Sequence, residues 1–235
     1  KELNKKYGLK LAEKRDYPKI TNKKYNKILL FLLESLNLEY IKTYNENLKA
    51  QNSNRFFNST KVIKNTFTNY YSAVRGTAWG ILATLTSEPS FYIYNYLQKN
   101  ENQKIENAIP FILQKNGFTN YYIAFSDIKY QKFDSMLSSL GFHYTFGSQH
   151  FIKNDAEVAE FSKIAKPEWA AAMPDILLYK KIYEFIKEKK DEKYFLTSLN
   201  IDTHVPGRRE KDYYGLDKDI PDFKISNKYN EYGKY

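Results

Sequence analysis

The stretch "VRGTAWGILATLTS" places Thr77 where a small-residue turn at Gly76 gives way to an apolar helical pattern. Two chemistries suit a threonine there. It can cap the helix, because a hydroxyl accepts from the free amides of a first turn and glycine permits the tight entry. It can also be a nucleophile. A helix N-terminus stabilises negative charge, and a threonine alkoxide held by a metal ion can attack phosphorus. Arg75, two residues upstream, is a fork-shaped cation of the kind that steadies phosphate oxygens.

Other positions share this double reading. Glu34 directly follows the apolar run "KILLFLL". It is either the first solvated residue beyond a strand or a ligand for a hard cation, which prefers carboxylate oxygen. His204 lies in "IDTHVPG", between Asp202 and Pro206. A lone histidine is commonly structural, yet a rigid turn also favours a positioned side chain. Asp127 closes "YYIAFSD" as a rim ligand or a helix cap, and Trp169 reads as packing. His143 and His150 fall in a loop-like stretch with no partner pattern. No zinc-protease, phosphate-loop, nucleophile-elbow or dinucleotide motif is present. The absence of cysteine excludes disulfides, thiolate metal sites and cysteine nucleophiles.

The elements that must position these residues follow from periodicity. Residues 1–24 are polar and basic without a period and read as a linker or arm. "KILLFLLES" (27–35) is apolar on both faces, as in a buried parallel strand. The segment from 39 to 65 reads as loop and short helix, and "TFTNYYS" as a short strand. A helix runs from Thr77 to before Pro89. "ENAIPFILQKNG" is an amphipathic helix closed by Gly117, "YYIAFSD" a second buried strand, and "YQKFDSMLSSLG" a helix closed by Gly141. Residues 175–190 have helical apolar spacing with lysines in the last turns, and "KYFLTSLNIDTH" is a third strand. The tail from 205 is polar and loop-like. Alternation of strand and helix implies an α/β fold with a mostly parallel central sheet and helices on both faces. Ligands bind such sheets beyond the carboxyl ends of the strands. Glu34, Ser126–Asp127, Asp202–Thr203–His204 and Thr77 all fall on that edge.

At 235 residues the chain fits one large α/β domain or two small ones. No apolar run approaches the roughly 20 residues of a membrane span, and the charged start carries no signal-peptide pattern. A net charge of +10 suits anionic partners. The lysines are scattered rather than gathered in a patch, so no nucleic-acid partner is expected.

Taken in order, "LLFLLESLNLEY", "VRGTAWGILATLTS", "FDSMLSSLGF", "EWAAAMPDILLYKKIYEFI" and "YFLTSLNIDTHVP" resemble the sulfatase-like branch of the alkaline phosphatase superfamily. The likeness is greatest to the lipoteichoic acid synthase and phosphoglycerol transferase group, over about residues 25–210. That resemblance implies Glu34 as a ligand of one divalent cation, Mn²⁺ by the family's habit with Mg²⁺ and Zn²⁺ open. It implies Thr77 as the nucleophile, also touching the metal and forming a phosphothreonine-type intermediate, and His204 as a contact to the substrate phosphate. Arg75 would help hold the phosphate oxygens. Where the family has a tryptophan and an arginine near the substrate, this sequence offers Lys129 and Gln131. Threonine cannot give the formylglycine of true sulfatases, so sulfate-ester hydrolysis by that route is not expected.

The implied reaction moves a phosphoglycerol-type unit from a phospholipid to a glycan or glycerol-type acceptor. The implied setting is the outer side of the cell membrane, anchored through segments that this chain lacks. The family completes its metal site with a later Asp-His pair, and none follows before Tyr235. Residues 25–235 are therefore expected to be the N-terminal portion of such a domain, with the C-terminal part of the sheet missing. Hydrolysis with water as acceptor, or a catalytically inactive binding module with Thr77 as a plain cap, are the other readings.

Overall fold

The computed structural model describes residues 24–35, 72, 76–88, 97, 103–164, 174–201 and 204. Its elements in chain order are β1 (Lys27–Leu32), α1 (Thr77–Thr86), α2 (Ile109–Lys115), β2 (Thr119–Ala124), α3 (Phe133–Ser139), β3 (Tyr144–Phe146), α4 (Ser148–Asn154), α5 (Ala156–Ile164), α6 (Asp175–Glu188) and β4 (Tyr194–Leu199). A single 3-10 turn, Tyr130–Lys132, leads into α3. The expected arm before residue 24, the loop, helix and strand expected between 36 and 71, Trp169 and the tail lie outside the described residues.

The four strands form one sheet in the order β1-β4-β2-β3, parallel at every pairing. Helices cover both faces. On one, Tyr122, Ala124, Phe195 and Leu199 pack against Leu82 and Leu85 of α1, Leu113 of α2 and Leu137 of α3. On the other, Tyr121, Ile123, Tyr194 and Leu196 pack against Phe151 of α4, Val158 of α5 and Leu178 and Ile182 of α6. Each large side chain fully buried here stabilises the fold by about 1.5–3 kcal/mol. β2 and β4 are central and buried on both faces.

The structure corrects the expectation for β1. Its continuous apolar run predicts burial on both faces, yet β1 is an edge strand among the described residues. Ile28, Leu30 and Leu32 pack on the core while Leu29, Phe31 and Leu33 are exposed. A second correction concerns the stretch that holds His143 and His150. Read as loop-like, it contains β3 and α4, and α5 follows. The α5–α6 contact is secured by Lys181, almost wholly buried, whose Nζ meets Asp155 at 2.7 Å, Glu184 at 3.1 Å and Glu157 at 3.3 Å. Burial opposes the Lys181 charge, but its hydrogen bonds to these carboxylates outweigh that and raise its pKa.

Candidate functional site

The carboxyl ends of β1, β2 and β4 and the head of α1 converge on one rim. Gly76 delivers α1 to it with φ +98°, a backbone that side-chain-bearing residues rarely adopt. Gly76 is the capping residue, and no side chain caps the helix. Thr77 is the first helical residue, so the reading of Thr77 as a plain cap does not hold. Its hydroxyl instead donates to Glu34 Oε2 at 2.8 Å.

Glu34 is half-buried and stands two residues beyond β1, just before a sharp turn at Ser35, whose φ is +53°. The Ser35 hydroxyl donates to Glu34 Oε1 at 3.2 Å. The Glu34 backbone N–H donates to Asn200 Oδ1 at 2.6 Å. Asn200 follows β4 and in turn donates through Nδ2 to Asp175 Oδ2 at 3.0 Å. The other oxygen of Asp175, which opens α6, accepts from the Ile201 amide at 2.8 Å. Both Asp175 and Asn200 are buried. Neither stood out in the sequence, where an asparagine after a strand reads as a breaker and an aspartate after proline as a helix start. The available signal was their position: Asn200 falls on the same strand end that carries His204.

Beside Thr77 opens a cavity of about 180 Å³. Its polar lining is Thr77, Ser126, Asp127, Tyr130, Gln131 and His204, over an apolar floor of Ala78, Phe133, Leu199 and Ile201. His204 is half-buried, and its amide donates to Ile201 O at 2.9 Å, closing the turn after β4. Asp127 lines the rim and folds its own loop, accepting from the Lys129 amide at 2.8 Å. Gln131 and Lys132 both hold left-handed backbone, φ +52° and +56°, without being glycine. Such residues cost about 1–3 kcal/mol each and persist where the surrounding fold enforces them. The pair kinks the entry to α3 and brings Gln131 to the cavity.

Thr77, His204 and Gln131 thus share one cavity, with Glu34 bonded to Thr77. Lys129 is not among the lining residues. Its ammonium is exposed and paired with Asp134, outside the cavity. Arg75 lies outside the described residues, as do Asp202 and Thr203. Below the rim, Tyr122 keeps a buried hydroxyl that meets no hydrogen-bond partner among the described residues. Burial first, and the Glu34 charge second, push its phenol pKa up.

The donor chemistry of Glu34 and Thr77 is all oxygen, which fits a hard divalent cation better than a soft one. Among the described residues no group of three His, Cys, Asp or Glu side chains could enclose a metal. The two would therefore form one wall of a metal site. No helix among the described residues is long and apolar enough to cross a membrane.

Comparison with known proteins adds a family. The Sulfatase family profile matches residues 26–234. The crystal structure of the lipoteichoic acid synthase LtaP from Listeria monocytogenes superposes with a TM-score of 0.50 at 20% identity, a likeness of fold. The match covers 65% of this chain and 35% of that one. Comparison with curated protein sequences gave no match.

Proposed function

Because the chain belongs to the Sulfatase family, we propose that it carries the nucleophile side of a metal-dependent transferase. The enzyme moves a phosphoglycerol-type, or related phospho-head-group, unit from a phospholipid to a glycan or glycerol-type acceptor. The observation that carries this reading is the Thr77–Glu34 hydrogen bond at the mouth of a cavity that also holds His204. A hydroxyl at the head of a helix, oriented by a carboxylate and open to a pocket, is arranged for attack on an anionic centre. The LtaP-like fold supports placing the chain with the lipoteichoic acid synthase group.

Glu34 and Thr77 would hold one divalent cation, Mn²⁺ or Mg²⁺, which when bound stabilises charge developing on phosphate oxygens. The rest falls to the chain itself. Glu34 Oε2 accepts the Thr77 hydrogen and so fixes the hydroxyl rotamer. A lone pair of Thr77 Oγ is then turned to phosphorus. As the Oγ–P bond forms, the bond from phosphorus to the diacylglycerol oxygen breaks. Thr77 loses a proton and the departing oxygen gains one. The acceptor hydroxyl reverses this exchange in the second displacement and restores Thr77. His204 and Arg75 would hold the non-bridging oxygens, and Gln131 the head group. Such an enzyme works at the outer face of a membrane, where the chain's positive charge favours anionic lipid.

The test is incubation of the intact protein with phosphatidylglycerol vesicles and Mn²⁺, with and without a glycolipid acceptor, followed by product analysis. Head group found on the acceptor supports transfer. Free glycerol phosphate in both samples indicates a hydrolase. No release from any phospholipid overturns the reading.

A further inference from the structure

We propose that Asp175 and Asn200 are positioning residues that set where Glu34, and through it Thr77, stand. The inference rests on the functional reading above and concerns two side chains that touch neither substrate nor cavity. Only one amide orientation of Asn200 satisfies both of its neighbours. Glu34 N–H can only donate, so the atom facing it must be Oδ1. The Asp175 oxygen is an acceptor toward Nδ2 on the opposite side. Asp175 therefore fixes the sense of the amide, and the amide fixes the Glu34 backbone. Glu34 lies past the last ladder residue of β1 and ahead of the left-handed Ser35, so the sheet register does not itself hold it.

The same carboxylate governs the other side of the cavity. Asp175 Oδ1 accepts from Ile201 N–H, and Ile201 O accepts from His204 N–H. One buried acid at the head of α6 thus anchors both the nucleophile wall and the phosphate-contact turn. A helix N-terminus is a favourable place for that carboxylate. Such outer partners of a ligand typically tune metal affinity or activity by 10–100-fold.

The experiment compares wild type with Asp175→Asn and Asn200→Ala in the intact protein. Asp175→Asn keeps the shape but turns an amide N–H₂ toward a donor. The readouts are kcat and KM for head-group release, Mn²⁺ affinity by calorimetry, and hydrogen exchange of the Glu34 amide. The expected result is a folded protein with kcat lowered about 10–100-fold, KM nearly unchanged, and Mn²⁺ bound about 10–100-fold more weakly. The Glu34 amide exchanges at least about tenfold faster once its acceptor is loosened. Folded variants with wild-type kcat, Mn²⁺ affinity and Glu34 exchange overturn the proposal. Where Asp175→Asn does not fold, Asn200→Ala decides by the same criteria. Where wild type neither binds Mn²⁺ nor releases head groups, the functional reading fails. Glu34 exchange in the variants then judges the clamp alone, unchanged protection overturning it.

Discussion

The Thr77 hydroxyl and the Glu34 carboxylate meet at 2.8 Å although 43 residues separate them in sequence. A helix-capping threonine would have turned its oxygen back onto its own first turn. This one turns outward, to a carboxylate at the end of a strand. The bond ties the head of α1 to the end of β1.

Removing the hydroxyl should separate chemistry from stability. Thr77→Ala is expected to lower head-group release at least about 10³-fold, as loss of a nucleophile does. Its unfolding free energy should fall by only about 1 kcal/mol, the worth of one part-buried hydrogen bond. Intact-mass measurement after exposure to phospholipid should show a covalent adduct on wild type and Thr77→Ser and none on Thr77→Ala. Wild-type turnover in Thr77→Ala would remove Thr77 from the reaction.

Glu34→Gln keeps one acceptor oxygen, enough for Thr77 Oγ but not for Ser35 as well, and discards the charge. Folding stability should move by less than about 1 kcal/mol. Mn²⁺ affinity, read by calorimetry, should fall at least about tenfold. Unchanged affinity would mean that the cation is held elsewhere.

Gly76→Ala places a Cβ at φ +98° and 3.3 Å from the Trp79 ring. A destabilisation of about 1–3 kcal/mol is expected from the backbone strain. Urea unfolding of the two proteins measures it. Equal midpoints would show that the turn relaxes to another backbone without cost.

The Lys181 cluster gives a pH dependence. Burial opposes ionisation of Asp155, but hydrogen bonds from Lys181 and the Val158 amide win and hold its pKa below the ordinary value. Lys180 chiefly lowers Glu157. Groups lowered in the folded state contribute stability above their unfolded pKa and lose it as pH falls through the folded one. This contribution is therefore complete at neutral pH and is lost progressively as pH falls below about 4. Lys181→Met should cost about 1–3 kcal/mol at pH 7, discounted because the Glu157 side chain is 44% exposed. It should also flatten the acid limb of a stability–pH curve. An unchanged limb would place the acid sensitivity in other carboxylates.

Tyr122→Phe removes a buried hydroxyl that meets no hydrogen-bond partner among the described residues. Stability should hold or rise by up to about 1 kcal/mol, since an unpaired hydroxyl pays a desolvation cost. Thermal unfolding reads this, and a clear loss would reveal a partner for the phenol.

The alternation of apolar runs and amphipathic helices made the parallel sheet legible, because buried central strands such as β2 and β4 leave a dense apolar signature. β3 spans three residues, one of them the exposed Tyr144, too short to show a period. In α5 only Val158 and Phe161 face the core between the exposed Glu157, Glu160 and Lys163, too few to stand out as a period, and ionic contact with α6 adds to their hold. Glu34, Thr77 and His204 could be picked out because each sits where an element begins or ends. Asp175 and Asn200 could not, since their importance lies in which atom faces which across 25 residues of sequence. Lys129, a candidate substrate contact beside Gln131, pairs with Asp134, five residues on, and is not among the residues that line the cavity. Gln131 gave no sign of its left-handed backbone because nothing but glycine advertises one.

The pairing of β1 with β4 also dictates when the site can come into being. During synthesis Glu34 emerges first, and its Asn200 acceptor follows 166 residues later. Until then β1 has no described neighbour, and its hydrophobic residues wait on an open edge. Contacts of such long sequence separation close late and slowly. Glu34 and Thr77 are thus both translated early, yet the Asn200 contact that holds the Glu34 backbone can form only after β4 has been made. Interruption of synthesis before β4 would leave a chain without a site, and with an unpaired strand that invites aggregation.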